Sequence, residues 1–266
     1  GNSQAVIVSL MAFVSFCLVA SSIYILNDIT DLESDRVHKT KKLRPIPSGA
    51  VTLPAGITLG LLCNFAGVAI SLLLPVEFTI SIIFYIFLNI LYSYFLKKLP
   101  IFDVILLSTF YMIRLQAGGF ATDIYISHWL ITFSLFLFLS LGFLKRYSEL
   151  FDLFHSQGLS STKGRGYEVN DLNIILMFGI GTSQLATLSM ILYLFSENAS
   201  RYYQNPKILF INAVIIFYWT SSMWFRGSKG KVNQDPVKHA ITDRISIVCG
   251  VCIITTLLLG KYLPAL

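Results

Sequence analysis

Three acidic side chains stand at helical spacing in the stretch Asn27-Asp28-Ile29-Thr30-Asp31-Leu32-Glu33-Ser34-Asp35. On a continuous helix Asp28, Asp31 and Asp35 project within a sector of roughly 60°, because each residue turns the chain by about 100°. Like charges stacked in this way repel one another, so the arrangement calls for a cation. Carboxylates beside the amide oxygen of Asn27 are hard oxygen donors of the kind that Mg²⁺ takes. A solvated turn at a membrane surface accounts for one or two acids, and less well for three on one face. A basic run from Arg36 to Arg44 follows, with Lys41 and Arg44 inside it. It can anchor the chain at a membrane, and it can also neutralise phosphate oxygens beside a metal.

A second group is Asp235-Pro236-Val237-Lys238-His239-Ala240-Ile241-Thr242-Asp243-Arg244. Pro236 suits the first turn of a helix and Asp235 suits its cap. Asp235, His239 and Asp243 are spaced i, i+4, i+8 and share a helix face. Acids often cap helices, so this group gains weight only beside the first, as the other half of a two-cluster metal site. In Lys145-Arg146-Tyr147-Ser148-Glu149, the cations can serve phosphate, or Lys145 and Glu149 can be an ordinary i, i+4 pair. Arg114 lies eleven residues beyond Asp103, roughly 16 Å along a helix. An arginine at that depth in a membrane is a functional candidate, unless it makes a structural bond to a polar neighbour such as Asn64.

The elements that carry these residues are membrane helices. The chain has 266 residues, is 55% hydrophobic and only 13% charged, and its mean hydropathy is +0.70. A water-soluble domain of this size could not hide so much apolar surface. Eight segments approach the roughly 20 apolar residues that a span requires: 5–26, 53–74, 77–96, 101–119, 126–145, 173–195, 207–225 and 244–263. Period-2 alternation is absent, which argues against a transmembrane barrel. The expected fold is an all-α, polytopic helix bundle in one membrane domain, residues 1–266.

Charge orients the bundle. The connections 27–52, 97–100, 145–172 and 226–244 hold sixteen of the twenty Lys and Arg residues. All four fall on one side, and the excess marks it as cytoplasmic, with both ends of the sequence outside. The net charge of +6 suits anionic headgroups or phosphorylated substrates, and nothing resembles a nucleic-acid module. Cys17, Cys63, Cys249 and Cys252 all lie in apolar spans and read as small buried hydrophobes, the CxxC spacing of the last two included. The first span lacks the charged start and cleavage site of a signal peptide. The glycines of Gln157–Gly166 do not form a phosphate loop, since no strand precedes them and no GK[ST] follows.

Asn27 to Asp35 match the NDxxDxxxD signature of the UbiA-type intramembrane prenyltransferases, and the sequence resembles that family onward through His38–Lys41 and Arg44-Pro45-Ile46-Pro47-Ser48-Gly49. Tyr92-Ser93, Lys97-Lys98 with Asp103, Arg114, Lys145-Arg146 with Glu149-Leu150, and Asp235-Pro236 with Asp243-Arg244 resemble its decaprenyl-phosphate phosphoribosyltransferase branch. The resemblance covers nearly the whole chain. The family has nine helices and its first acidic motif follows the second, so one leading helix is expected to be missing here, consistent with a sequence that starts at Gly1 without Met. The branch pattern also has an acid where Gln234 stands and an aromatic where His239 stands.

The resemblance implies a Mg²⁺-dependent transferase with a diphosphate donor and a lipid acceptor, set in a bacterial inner membrane with its active site facing the cytoplasm. Asp28, Asp31, Asp35 and Asp235 are the expected metal ligands, and Asp243 joins them as catalytic. Asn27, Lys41, Arg44, Arg114, Lys145, Arg146 and Arg244 are the expected substrate-binding residues. Phosphoribosyl transfer from phosphoribosyl diphosphate to a polyprenyl phosphate needs no general base, because the acceptor is already ionised. The alternative is transfer of a prenyl group from its diphosphate to an aromatic or other acceptor, where His239 is the nearest base. A secondary transporter fits less well: intramembrane charge is confined to Arg114, and no paired broken helices are evident.

Overall fold

Polar groups inside and large apolar side chains outside set the architecture. A computed structural model describes residues 2–37, 41–157, 165–232 and 235–264. His38, most of the glycine-bearing stretch Gln157–Gly166 and Gln234 lie outside the described residues. The described residues are mostly helical, without a strand, and hold eight helices long and apolar enough to cross a membrane, one for each expected segment. They fall into two compact units, one within Gly1–Ile126 and the other within Ser127–Thr162 and Gly166–Leu266.

The first unit contains α1 (Asn2–Thr30), the short α2 (Leu32–Val37), α3 (Leu53–Ser71), α4 (Val76–Tyr94) and α5 (Phe102–Thr122). α1 packs against α3, α4 and α5. Ser15 Oγ donates to the carbonyl of Gly67 at 2.7 Å, an approach that a side chain at position 67 would block. Small residues and short hydrogen bonds of this kind join helices in lipid, where burial of hydrocarbon gives no net drive. Val19, Phe78, Ile82, Tyr85, Phe110 and Ala117 form the core between α1, α4 and α5. Leu62, Phe65, Ile83 and Phe87 point outward, as a lipid-facing surface requires. Between α4 and α5, a 3₁₀ turn at Leu96–Lys98 leads to Ile101 at φ 67°. A β-branched residue rarely adopts that conformation, and here it lies between Lys97 and the fully buried Asp103.

The second unit contains α6 (His128–Gln157), α7 (Leu172–Leu194), α8 (Glu197–Tyr202), α9 (Phe210–Gly227), α10 (Pro236–Thr242) and α11 (Arg244–Tyr262). α6 pairs with α7, α7 with α9, and α9 with α11. Ser140 Oγ donates to the carbonyl of Gly179 at 2.9 Å and accepts from Trp224 Nε1 at 2.9 Å, tying α6, α7 and α9 together. Thr256 donates to Asn212 Oδ1 across α9 and α11. Trp219 Nε1 donates to Ser246 Oγ at 2.8 Å.

One boundary differs from the sequence reading. The fifth span was expected to end at residue 145, but α6 continues to Gln157. Residues 146–157 contain neither Gly nor Pro, so nothing in the chain stops the helix when its faces turn polar. Lys145 and Arg146 therefore sit inside a helix and not at its end.

The packing at Gly179 yields a stability test. A Cβ there would lie 1.9 Å from Trp224 Cζ2, whereas one at Gly181 would meet nothing within 4 Å. Gly179→Ala is expected to destabilise the protein by about 1–3 kcal/mol through overpacking. Gly181→Ala is expected to be neutral or mildly stabilising through helix propensity. Thermal unfolding in detergent compares them, and equal midpoints would show that Trp224 does not fill the space at Gly179.

Candidate active site

The helix of α1 falters at Asp31, a turn residue, and resumes as α2. The backbone ladder nonetheless continues: Asp31 N–H donates to Asn27 O at 2.9 Å and Asp35 N–H to Asp31 O at 2.8 Å. Asp28, Asp31 and Asp35 thus remain close to helical register. Arg44 Nη1 donates to Asp28 Oδ1 at 2.8 Å and to Asp35 Oδ2 at 2.9 Å, so these two acids share one nitrogen. Lys97 Nζ donates to Asp31 Oδ1 at 2.5 Å. Asp35 is almost fully buried, and the Asp31 carboxylate is about one-third exposed. The repulsion inherent in the motif is met by cations of the chain itself.

Asn27 is held at the same end of the unit, its Oδ1 accepting from Ser93 Oγ at 2.5 Å. Lys41 opens the 3₁₀ turn Lys41–Leu43, three residues before Arg44. Arg114 does not bond Asn64, which donates to Ser22 Oγ at 3.2 Å. Its partner is Tyr85, whose hydroxyl accepts from Nη2 at 2.8 Å. Lys97, Ser93 and Tyr85 are the neighbours that spacing did not assign. Lys97 lies 66 residues from Asp31, and only the return of α4 beside α1 joins them.

In the second unit, Asp235 is exposed and caps α10, accepting from the N–H groups of Val237 and Lys238 at 3.0 and 3.1 Å, with Pro236 in the first turn as expected. The backbone ladder runs through this group, His239 N–H donating to Asp235 O and Asp243 N–H to His239 O, both at 2.9 Å, with Asp235 and Asp243 as the two caps of α10. Asp243 has extended backbone, φ −80° and ψ 129°, and ends α10 while capping α11. The N–H of Ser246 offers that cap at 3.0 Å, and Ser246 Oγ donates to the same oxygen at 3.0 Å. Arg226 Nη1, from the end of α9, donates to the other oxygen at 2.7 Å. Asp243 is therefore fixed by Arg226, a residue that the spacing gave no reason to choose. Arg244 follows as an exposed first residue of α11, and His239 Nε2 is buried without a partner.

Arg146 is 1% exposed and pairs with Glu149. The i, i+3 partner of Glu149 is thus Arg146, besides any contact that Lys145 makes. Lys145 is half-buried on the neighbouring position of α6, and α6 also contacts α10.

The donor set suits Mg²⁺. In the first unit the carboxylates of Asp28 and Asp31 are partly exposed, and in the second Asp235 is exposed. Among the described residues no three His, Cys, Asp or Glu side chains form a group that could by themselves hold a metal ion. Mg²⁺ commonly takes one or two carboxylates and completes its octahedron with water and phosphate oxygens, so open carboxylates are the fitting arrangement.

The Asp243 cap carries a pH dependence. The hydrogen bond from Arg226, with those from Ser246, outweighs burial and holds the carboxyl at about 2, against an ordinary 3.8. A depressed pKa means that the stabilisation is complete above the ordinary value and is lost as pH falls from about 4 towards 2. Wild type should be more stable than Asp243→Asn near neutral pH, with the gap closing over that window. Denaturant unfolding at a series of pH values measures it, and a gap that persists below pH 2 would show that the carboxylate charge is not what stabilises the cap.

A model of the UbiA prenyltransferase family matches residues 1–226. The protein y4nM of Sinorhizobium fredii is 30% identical over 251 residues, 94% of this chain and 48% of that one. A decaprenyl-phosphate phosphoribosyltransferase of Mycolicibacterium smegmatis is 41% identical over 142 residues, 53% of this chain and 44% of that one. The chain spans about half the length of the first of these relatives. The solved structure of a UbiA homolog from Archaeoglobus fulgidus bound to GPP and Mg²⁺ superposes with a TM-score of 0.70 at 14% identity, covering 95% of this chain and 86% of that one. The acidic motif, the eight membrane helices that carry it and the family match over most of the sequence agree: this chain is an integral membrane protein of the UbiA prenyltransferase family.

Proposed function

We propose that the protein transfers phosphoribose from phosphoribosyl diphosphate to a polyprenyl phosphate, at the cytoplasmic face of a bacterial inner membrane. The observation that carries this reading is the charge arrangement around Asn27–Asp35, where Arg44 and Lys97 engage three carboxylates. Such a site has both the oxygen donors for a metal and the cations for a diphosphate. The 41% identical relative named for this activity supports the choice of donor.

In this reading Asp28 and Asp31, backed by Asp35, would hold Mg²⁺ in the first unit, and Asp235 is the candidate metal ligand of the second. Mg²⁺, when bound, draws charge from the diphosphate and makes it a better leaving group. Arg44 and Lys97 turn from carboxylates to phosphate oxygens, joined by Lys41, stabilising charge that grows as the bond breaks. Ser93 fixes the oxygen of Asn27, which leaves the amide N–H pair to donate to the diphosphate. An oxygen of the acceptor phosphate attacks the anomeric carbon, the bond from that carbon to the diphosphate breaks, and diphosphate departs with its electron pair. No proton moves. Lys145 draws in the acceptor phosphate beside Arg244, while Arg146 with Glu149 keeps α6 in place beneath it. Asp243 acts through position, since Arg226 and Ser246 hold it at the start of α11.

Prenyl transfer is the second reading, favoured by the GPP bound to the Archaeoglobus fulgidus homolog. There the allylic carbon is attacked by a lipid or aromatic acceptor, and His239, whose Nε2 is buried without a partner, is the candidate base.

Product analysis separates the two. Membranes containing the full-length protein receive ribose-labelled phosphoribosyl diphosphate with decaprenyl phosphate, or labelled geranyl diphosphate with a panel of acceptors. Label entering the lipid fraction from the ribose donor, and lost in Asp31→Asn, is the expected result. Label transferred only from the prenyl donor would overturn it. Sidedness is tested with single cysteines at positions 98 and 231 in a background without native cysteines. An impermeant maleimide applied to intact cells should label neither, and labelling of either would place that end of its unit outside.

A further inference from the structure

Arg114 brings a full charge into the middle of α5, and among the described residues no carboxylate pairs with it. Its guanidinium carbon lies 5.3, 5.5 and 5.8 Å from the ring centres of Tyr111, Tyr85 and Phe16. Those rings attract the cation without neutralising it. Nη2 donates to the Tyr85 hydroxyl, and Nε is buried with no acceptor. The Tyr85 hydroxyl, having accepted, keeps its own proton to give. A half-buried positive charge with a buried, unpaired N–H, beside a hydroxyl proton that no acceptor takes, is costly as it stands. Chemically it is a receptor for an anion.

Its place in the first unit says which anion. Tyr85, Asn89 and Ser93 follow one another at i, i+4, i+8 on one face of α4. Asn89 Nδ2 donates to Tyr85 O at 2.8 Å, and Ser93 donates to Asn27. A polar column thus descends from the acidic motif to Arg114 over eight residues, about 12 Å at 1.5 Å per residue. A prenyl diphosphate bound by its diphosphate at the motif would lay hydrocarbon along this column and leave both donors unpaired. Phosphoribosyl diphosphate offers hydroxyls and then a second phosphate at the far end of its sugar.

We propose that Arg114, with Tyr85, binds the terminal phosphate of the sugar donor and thereby selects a phosphorylated sugar over a prenyl chain. This rests on the phosphoribosyl reading above. The guanidinium fork accepts phosphate with paired hydrogen bonds, and Tyr85 orients it.

The test compares equilibrium binding of phosphoribosyl diphosphate and of ribose 1-diphosphate, which lacks the terminal phosphate, to the purified protein with Mg²⁺. Wild type should bind the complete donor at least about tenfold more tightly, the size of one charge-assisted hydrogen bond. Arg114→Gln should bring the two ligands to similar affinity and leave ribose 1-diphosphate binding unchanged. Equal affinity of wild type for both ligands would overturn the proposal, as would an Arg114→Gln variant that weakens both alike, the mark of a structural role. If Arg114→Gln does not fold, Tyr85→Phe and the wild-type comparison decide, with a smaller but still selective loss expected. Wild type that binds geranyl diphosphate and neither ribose ligand would instead refute the phosphoribosyl reading itself.

Discussion

Carboxylates gathered at the end of a membrane helix must be neutralised, and the way this chain does so organises the rest of its first unit. Arg44 can reach Asp28 and Asp35 together only because the chain turns back through the Lys41–Leu43 turn after α2. Lys97 can reach Asp31 only because α4 returns beside α1 and ends one 3₁₀ turn beyond Ser93. Removing either cation would leave like charges in a poorly solvated place, where their interaction is much stronger than in water. In the proposed reaction the same cations serve the diphosphate. A site that balances its own charge before substrate arrives can exchange partners without exposing bare charge to lipid.

The bundle follows the inverse of the rule for water-soluble proteins. Ser15, Asn89, Ser140, Asn212 and Thr256 are buried, while Phe65, Phe87, Val214 and Ile254 are exposed. Lipid tails solvate leucine and phenylalanine as well as another helix does, so apolar side chains gain little by turning inward. Hydroxyls and amides gain a great deal, because hydrocarbon offers them no partner. Each unit is therefore joined by a few directed polar contacts through small residues: Ser15 on Gly67, Ser140 on Gly179, Thr256 on Asn212. Arg114 departs from this economy, with a charge that no carboxylate among the described residues meets, and that departure is why it is the place to look for a ligand.

The second unit shows how similar residue types serve different ends. Asp235 and Asp243 both cap helices. Asp235 is exposed and bonded only to backbone N–H groups, which leaves oxygen lone pairs free for a cation. Asp243 is clasped by Arg226 and Ser246, which lowers its pKa and commits both of its oxygens. Arg146 shows the same division beside Lys145: one cation is buried on Glu149 and serves the helix, while its neighbour stays closer to solvent.

The spans and the acidic motif were legible in the sequence because both are local. Twenty apolar residues make a membrane helix whatever surrounds them, and three acids at helical spacing share a face without tertiary help. The cap at Asp235 with Pro236 was legible for the same reason. The end of α6 was not, since the sequence carries no stop signal and the helix simply outlasts its apolar stretch. That Asp243 ends α10 and caps α11, with Arg226 on its other oxygen, was not legible in the i, i+4, i+8 spacing. Tertiary structure alone decided the partners from other helices: Lys97 for Asp31, Tyr85 for Arg114, Arg226 for Asp243. Spacing along one helix fixes which residues share a face, but a partner from another helix is set by how the helices pack, and that is written in no single segment.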